Sequence, residues 1–345
     1  MSACLSTGRQ RRLYIWLVRP GAFSLGLGCA VVVAIVLIEG FRQEPARGPS
    51  TRVHMAAPVA ERAGAPFPRT LSDASGATQV IPRPPQRIVS QTLGTDEMLL
   101  TLCEPERLVA LSALVDDASY SNATAQAQAI KGRAKASAEQ ILQFQPDMIF
   151  VASYSRAELL TLLTAARAPV FRFGFFDRLE DIKLNIRIVG YILGADEPAE
   201  ALVQQMEQAL ARVQASIPPH RPPVHVMFYG LSGYTGGAHT TFDDMVQAVG
   251  AVNVAAMHGI QGFRKVNSEQ LLQWHPEVIV TSAHPDAQDD TRRQLLQHPA
   301  VAVTPAGKRQ RIIVIPTHHF VTVTHHIVQG IAQLARELYQ PEPRT

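Results

Sequence analysis

Two periods alternate along this chain, and the switching between them sets out the fold. Arg87–Ser90, Leu108–Leu111, Ile149–Val151 and Val170–Phe173 are short apolar runs rich in β-branched and aromatic residues, the pattern of buried strands. Between them, Thr95–Cys103 and Ala157–Ala166 carry apolar residues at helical spacing. Ahead of them, Thr70–Pro82 predicts a strand, a turn at Asp73–Gly76 and a second strand. From Asp177 the strands stop. Leu179, Ile182, Ile186, Val189 and Leu193, then Ala201, Val203, Met206, Leu210 and Val213, recur as helical faces, with Gly190 and Gly194–Pro198 dividing the run. Alternation resumes with a strand at Val224–Tyr229, a helix at Thr241–Val249, a strand at Ile312–Ile315 and a last helix at His326–Leu338. Strands alternating with helices call for largely parallel sheets covered on both faces.

One unit occurs twice. Ser137–Val151 and Asn267–Val280 each open with a small polar residue, place Glu139 or Glu269 in the first helical turn, pass a Pro-acid turn and end in a β-branched strand. Two copies, 130 positions apart, predict two similar lobes. The helical stretch between them is the bridge.

Charge separates the N-terminus from the rest. Residues 1–52 hold seven Arg against two Glu, and the remaining chain holds 25 basic against 27 acidic residues. The body therefore offers no cationic face for nucleic acid. Arg9, Arg11, Arg12 and Arg19 precede an uncharged apolar run, Pro20–Ile38, long enough to span a bilayer. Basic residues before the run keep the N-terminus inside and export everything after Glu39. An uncleaved anchor is favoured; a cleaved signal peptide is the alternative. Gly26–Cys29 has the shape of a lipid-attachment site, but apolar residues continue past Cys29, which reads as membrane-buried. Of the three cysteines only Cys103 lies in the exported body, so that body can form no internal disulfide. The chain divides into a cytoplasmic basic segment (1–12), a membrane anchor or signal segment (13–38), a flexible tether (39–69), an N-terminal α/β lobe (70–177), a bridging helix (178–217) and a C-terminal α/β lobe (218–345).

In order and spacing, these pieces resemble the periplasmic substrate-binding proteins of bacterial ABC importers, in the class whose lobes are joined by one long helix. Thr70–Ser90, Asp96-Glu97 with its following helix, the two Glu units, Leu179–Ala215 and Gly250–Ala255 carry the resemblance. It implies an α/β fold of two lobes with largely parallel central sheets and a cleft between them. It also implies a monomer that hydrolyses nothing, needs no cofactor, and carries an iron-siderophore or cobalamin-type chelate to a membrane permease. Glu139 and Glu269 match the family's two permease-docking acids. Independently, a glutamate in a helix's first turn is favoured by the macrodipole and mostly exposed, so one per lobe makes a bidentate electrostatic key.

Loops at the C-terminal ends of the strands should form the cleft. In this sequence they are 91–94, 112–120, 133–136 and 153–156, facing 231–239, 261–265 and 317–322. They contribute Arg133, Tyr154, Tyr234, Phe263, Arg264, His318 and His319 as candidate ligand contacts. Arg133 suits an anionic ligand. Tyr234 lies in Gly230–Gly237, which is too glycine-rich for a packed strand and is expected to be a loop. The pairs His318-His319 and His325-His326 raise a metal site. However, no histidine lies between His54 and His220, so the first lobe can add none, and no dedicated metal site is assigned. A haem or metal-ion receptor stands as the alternative. A chelatase-like enzyme is the rival from another class, although no nucleophile elbow or Ser-His-Asp set is visible.

Overall fold

The computed structural model describes residues 63–339. The basic segment, the apolar span at 13–38 and most of the tether lie outside the described residues. Among the described residues, no helix is long and apolar enough to cross a membrane.

Packing begins before residue 70. Phe67 lies against the core, and the buried Arg69 guanidinium bonds the Tyr191 carbonyl (2.7 Å) and Asp196 (2.8 Å). Strands β1 (Arg69–Ser72) and β2 (Thr78–Ile81) then form the expected antiparallel hairpin. Its turn is held by Asp73, whose Oδ1 accepts from the Ser75 and Ala77 amides.

The first sheet has the order β5-β4-β3-β6-β7, all parallel, from β3 (Ile88–Ser90), β4 (Leu108–Ser112), β5 (Arg133–Ala134), β6 (Met148–Ala152) and β7 (Val170–Phe173). Helices α1 (Leu93–Leu102), α2 (Ala138–Gln143) and α3 (Ala157–Ala165) follow β3, β5 and β6.

The stretch read as one bridge is a helical hairpin. Helix α4 (Leu179–Leu193) stops at Gly194, which takes the left-handed φ of 75° that ends helices. Helix α5 (Asp196–Ser216) runs back along α4, joined by Arg187–Glu200 (2.8 Å) and Lys183–Glu207 (3.1 Å). The long connection to the second sheet is α5 alone, roughly 31 Å at 1.5 Å per residue. It buries Ala199, Leu202, Val203, Met206 and Val213, one apolar stripe at helical spacing.

The second sheet has the order β10-β8-β12-β13, again parallel, from β8 (His225–Phe228), β10 (Val252–Asn253), β12 (Val278–Ala283) and β13 (Ile312–Pro316). Its helices are α6 (Thr241–Ala248), α7 (Ser268–Trp274), α8 (Gln288–Gln297) and α9 (Ile327–Tyr339). A two-stranded ribbon, β9 (Tyr234–Gly236) against β11 (Phe263–Lys265), replaces the loop expected around Tyr234. The glycines there allow backbone contact instead: a Cβ on Gly237 would lie 2.1 Å from the Ile260 carbonyl oxygen.

The repeated unit has a structural meaning. In the first copy Asp147 accepts from the Arg87 amide (2.7 Å), just before β3; in the second Glu277 accepts from the His225 amide (2.8 Å) that opens β8. The residues before each Pro, Gln145 and His275, share a left-handed φ of 49° and 48°. Each Pro-acid turn thus clamps its outer helix to the first strand of its own sheet.

Strand alternation separates the layers. Met148, Phe150 and Ala152 of β6 and Val278 and Val280 of β12 enter one central core. Ile149 and Val151 turn to an outer cluster with Ala138 and Ile141 of α2; Ile279 turns to another with Leu271 and Trp274 of α7. The central core is continuous from Ile88 and Phe173 through Ile186 of α4 and Met206 of α5 to Val226 and Ile313. Truncating a fully buried member such as Phe150 to Ala removes about 3–5 kcal/mol.

Candidate functional site

Both sheets reverse strand order at one place. The chain leaves β3 for β4 on one side and returns to β6 on the other; it leaves β8 for β10 and returns to β12. At such switch points the loops after neighbouring strands diverge and leave a crevice at the C-terminal edge.

In the first half this edge carries hydroxyls and a tyrosine. Thr92 caps α1, and the side chains of Ser90, Thr92 and Thr95 bond one another at 2.6–2.9 Å. Tyr154, just past β6, shares a hydrogen bond with the Thr92 side chain, and its ring lies 5.5 Å from that of Phe176. Burial pushes its hydroxyl up to about 12, so it stays protonated at physiological pH.

Arg133 is held differently from a waiting anion receptor. Nε and Nη2 grip Asp116 (2.7 and 2.6 Å), Nη1 donates to the carbonyls of Ile130 and Gly132, and Nη2 also donates to Ala127. All five guanidinium N–H groups are engaged. An anion bound here would have to displace one of these partners.

In the second half the edge is aromatic. Phe263 of β11 meets Phe228 edge-on at 6.3 Å, Phe228 lies 4.9 Å from Phe320, and Phe242 touches both Phe228 and Phe320 at 5.8–5.9 Å. Tyr234 pairs with Lys265 across the ribbon and is half-buried; Arg264 is exposed.

The histidines gather at the end of β13. His318 and His319 sit on a one-turn helix, Thr317–Phe320, with rings 4.2 Å apart; the His325 and His326 rings are 4.0 Å apart at the foot of α9. Burial, helped by the charges of His318 and His326, lowers His319 to about 4. Burial, helped by His326, lowers His325 to about 3. Both imidazoles are therefore neutral bases at physiological pH. Among the described residues, no group of three or more His, Cys, Asp or Glu is arranged to hold a metal ion.

The two halves meet beside these rings. Glu97 of α1 is almost wholly buried and accepts from the Asn122 amide (2.8 Å), the Asn122 side chain (3.1 Å) and the hydroxyls of Thr322 (3.1 Å) and Thr324 (2.5 Å). Asn122 also donates to the His318 carbonyl (2.8 Å), and the His318 ring bonds the Ala118 carbonyl. Next to Glu97, Asp96 is fully buried and bonds the Ser112 amide and hydroxyl; desolvation raises it to about 7. Sequence reasoning missed Glu97 as a junction, because an acid opening a helix ordinarily faces water.

Glu139 and Glu269 do face water. Each lies in the first turn of its helix, α2 capped by Ser137 and α7 by Asn267, and each is exposed. Neither has an ion-pair partner among the described residues.

This arrangement matches a known family. Residues 88–318, two thirds of the chain, match the periplasmic binding protein family. The chain belongs to this family. Among curated relatives, the periplasmic binding protein described here is similar to an uncharacterized ABC transporter substrate-binding lipoprotein, YvrC of Bacillus subtilis (strain 168). The identity is 21% over 91% of this chain and 96% of the relative. It is also similar to the molybdate-binding protein MolA of Haemophilus influenzae, 24% identical over 52% of this chain and 56% of MolA. Among solved structures, the periplasmic heme-binding protein RhuT from Roseiflexus sp. RS-1, in apo form, superposes with a TM-score of 0.63. It is 25% identical over 74% of this chain and 98% of RhuT.

Proposed function

We propose that this periplasmic binding protein captures a metal chelate outside the cytoplasmic membrane and hands it to the permease of an ABC importer. The observation that carries the reading is the pairing of His318-His319 with the Phe228–Phe263–Phe320 cluster at the mouth of the second sheet. Phe228 and Phe263, half-buried at this edge with Phe320 sunk behind them, suit a large apolar macrocycle, and imidazole suits its metal. Of the ligands considered from the sequence, haem has more support than a siderophore or cobalamin, and the naming of RhuT as heme-binding points the same way. Haem would be cargo here and would leave unchanged. His318, His319 and Tyr234 are the candidate iron ligands, and Tyr154 is a candidate wall of the pocket. Glu139 and Glu269 serve as the paired permease contacts.

The test is absorbance titration of the purified protein with haem, cobalamin, a ferric hydroxamate and molybdate. A sharp haem band saturating at one or two equivalents is expected, with loss or shift of the band in His319→Ala. Tight binding of molybdate alone would overturn the chelate reading. Glu139→Ala with Glu269→Ala should abolish uptake and leave ligand affinity unchanged.

A further inference from the structure

Helices α2 and α7 carry more than an acid at equivalent places. Glu139-Gln140-Ile141-Leu142-Gln143 and Glu269-Gln270-Leu271-Leu272-Gln273 follow one order of residue types. The third residue of each is sunk in its outer core, Ile141 and Leu271 both at 0% exposure. Positions three and four after the glutamate share its side of a helix. Leu142 with Gln143, and Leu272 with Gln273, therefore sit beside their acid. Leu272 is 37% exposed. Around Glu139 the surface is a shallow, mostly apolar depression formed by Ala138, Leu142, Gln143 and, from α3, Leu162, which is 51% exposed.

A single exposed leucine needs no explanation. Two leucines beside two acids, at matching points of two halves, do. Glu104, Asp116, Glu200, Glu207 and Asp290 each hold an Arg or Lys; Glu139 and Glu269, like Glu106 and Glu158, hold none among the described residues, so it is their matching placement beside a leucine that sets them apart. Their charge is free for a cation brought by a partner.

Building on the importer reading above, we infer that each half docks through a mixed epitope, a glutamate flanked by an exposed leucine. The occupant is a membrane permease that presents a cation next to an apolar side chain at two sites. The acids steer and orient, and salt screens them. The leucines supply a contact that salt does not weaken. The halves are unequal: the depression lined by Leu142 and Leu162 gives the first half the larger apolar share.

The test uses the purified full chain and the importer complexes of the same genome reconstituted in nanodiscs, read by stimulated ATP hydrolysis. Wild type must stimulate one of them; stimulation of none overturns the importer reading and this inference with it. With the responding complex, Leu162→Ser should raise the half-maximal concentration about tenfold and Leu272→Ser about threefold. Both effects should persist between about 50 mM and about 500 mM salt, while those of Glu139→Ala and Glu269→Ala shrink. Leu162→Gln repeats the measurement should the Ser variant unfold at lower temperature than wild type. Leucine variants matching wild type, with stimulation intact, would overturn the epitope and spare the importer reading. A concentration-dependent dimer abolished by Leu162→Ser would assign the patch to a second copy of this chain and also overturn it.

Discussion

The carboxylate of Glu97 accepts a hydrogen bond from the hydroxyl of Thr324, 227 residues further along the chain, at 2.5 Å. With Thr322 and both donors of Asn122, it closes a buried polar knot where α1 meets the segment entering α9. Removing the acid strands four donors in a dry place, and bonds to a charged acceptor are worth about 1.5–3 kcal/mol each when a partner is lost.

Glu97→Ala should therefore cost about 3–5 kcal/mol of unfolding free energy and Glu97→Gln about half of that, read from urea midpoints. The glutamine keeps one acceptor, and its amide nitrogen forces the Thr322 and Thr324 hydroxyls to turn from donors into acceptors. Two variants as stable as wild type would show that the knot is water-filled in solution.

The helical hairpin should be sensitive at Gly190. A Cβ there would stand 2.4 Å from the Ala199 Cβ and 2.9 Å from the Ala195 carbonyl oxygen. Gly190→Ala should push α5 from α4 and destabilise by about 1–3 kcal/mol. Gly194→Ala, at a left-handed φ of 75°, should cost about 1 kcal/mol. Calorimetry of both variants ranks them; the reverse order would mean that the turn, and not the helix contact, limits the hairpin.

Asp96 and the histidines give stability opposite slopes against pH. Burial holds Asp96 at about 7, above its unfolded value, so its contribution is full in acid and is lost as pH rises through 7. Burial holds His319 at about 4 and His325 at about 3, below their unfolded value. Their contribution is full above an unfolded pKa of about 6.5 and is lost as pH falls toward 4. His318 and His326 are lowered as well, again by burial first. The histidines outnumber the aspartate, so the urea midpoint should fall from pH 7 to pH 4.5. Asp96→Asn should steepen that fall and His325→Asn should flatten it. Parallel curves for all three proteins would refute the assignment.

Arg133 should behave as a brace. Arg133→Gln leaves three carbonyls and Asp116 without their donors and should lower stability by about 1–2 kcal/mol, with a small effect on the affinity for an anionic ligand. The Arg133 hydrogen bonds also hold the Asp116 carboxyl below its usual range, so the Asp116 titration in NMR should rise in the variant. A large loss of affinity at unchanged stability would return Arg133 to the pocket.

The layout was legible where one rule governed a segment. β6 is apolar at every position and β12 over Val278–Val280 because both faces are covered there, and α9 shows its buried stripe at Ile327, Ile331, Leu334 and Leu338. The Pro-acid repeat pointed to two matching halves, and the chain builds two matching sheets. The β9–β11 ribbon was hidden because its glycines serve backbone approach and carry no periodicity. The break at Gly194 was visible as a glycine, but a glycine does not tell a kink from a reversal; the pairing of Arg187 with Glu200 does. Glu97 gave no local signal, since its partners at Thr322 and Thr324 come from the far end of the chain. The partners of Arg133 are close in sequence, but three of them are backbone carbonyls, which a sequence does not display.

The unbroken core that passes from the first sheet through α4 and α5 into the second limits how this protein can report that it is loaded. Swinging one half away would wet shared interior at about 25 cal/mol per Å², so uncovering even 200 Å² costs about 5 kcal/mol. Empty and filled forms should therefore keep nearly the same outline, which small-angle scattering with and without ligand checks. A transporter meeting them would distinguish them by touching the cargo at the rim, with little help from a change in the carrier's silhouette.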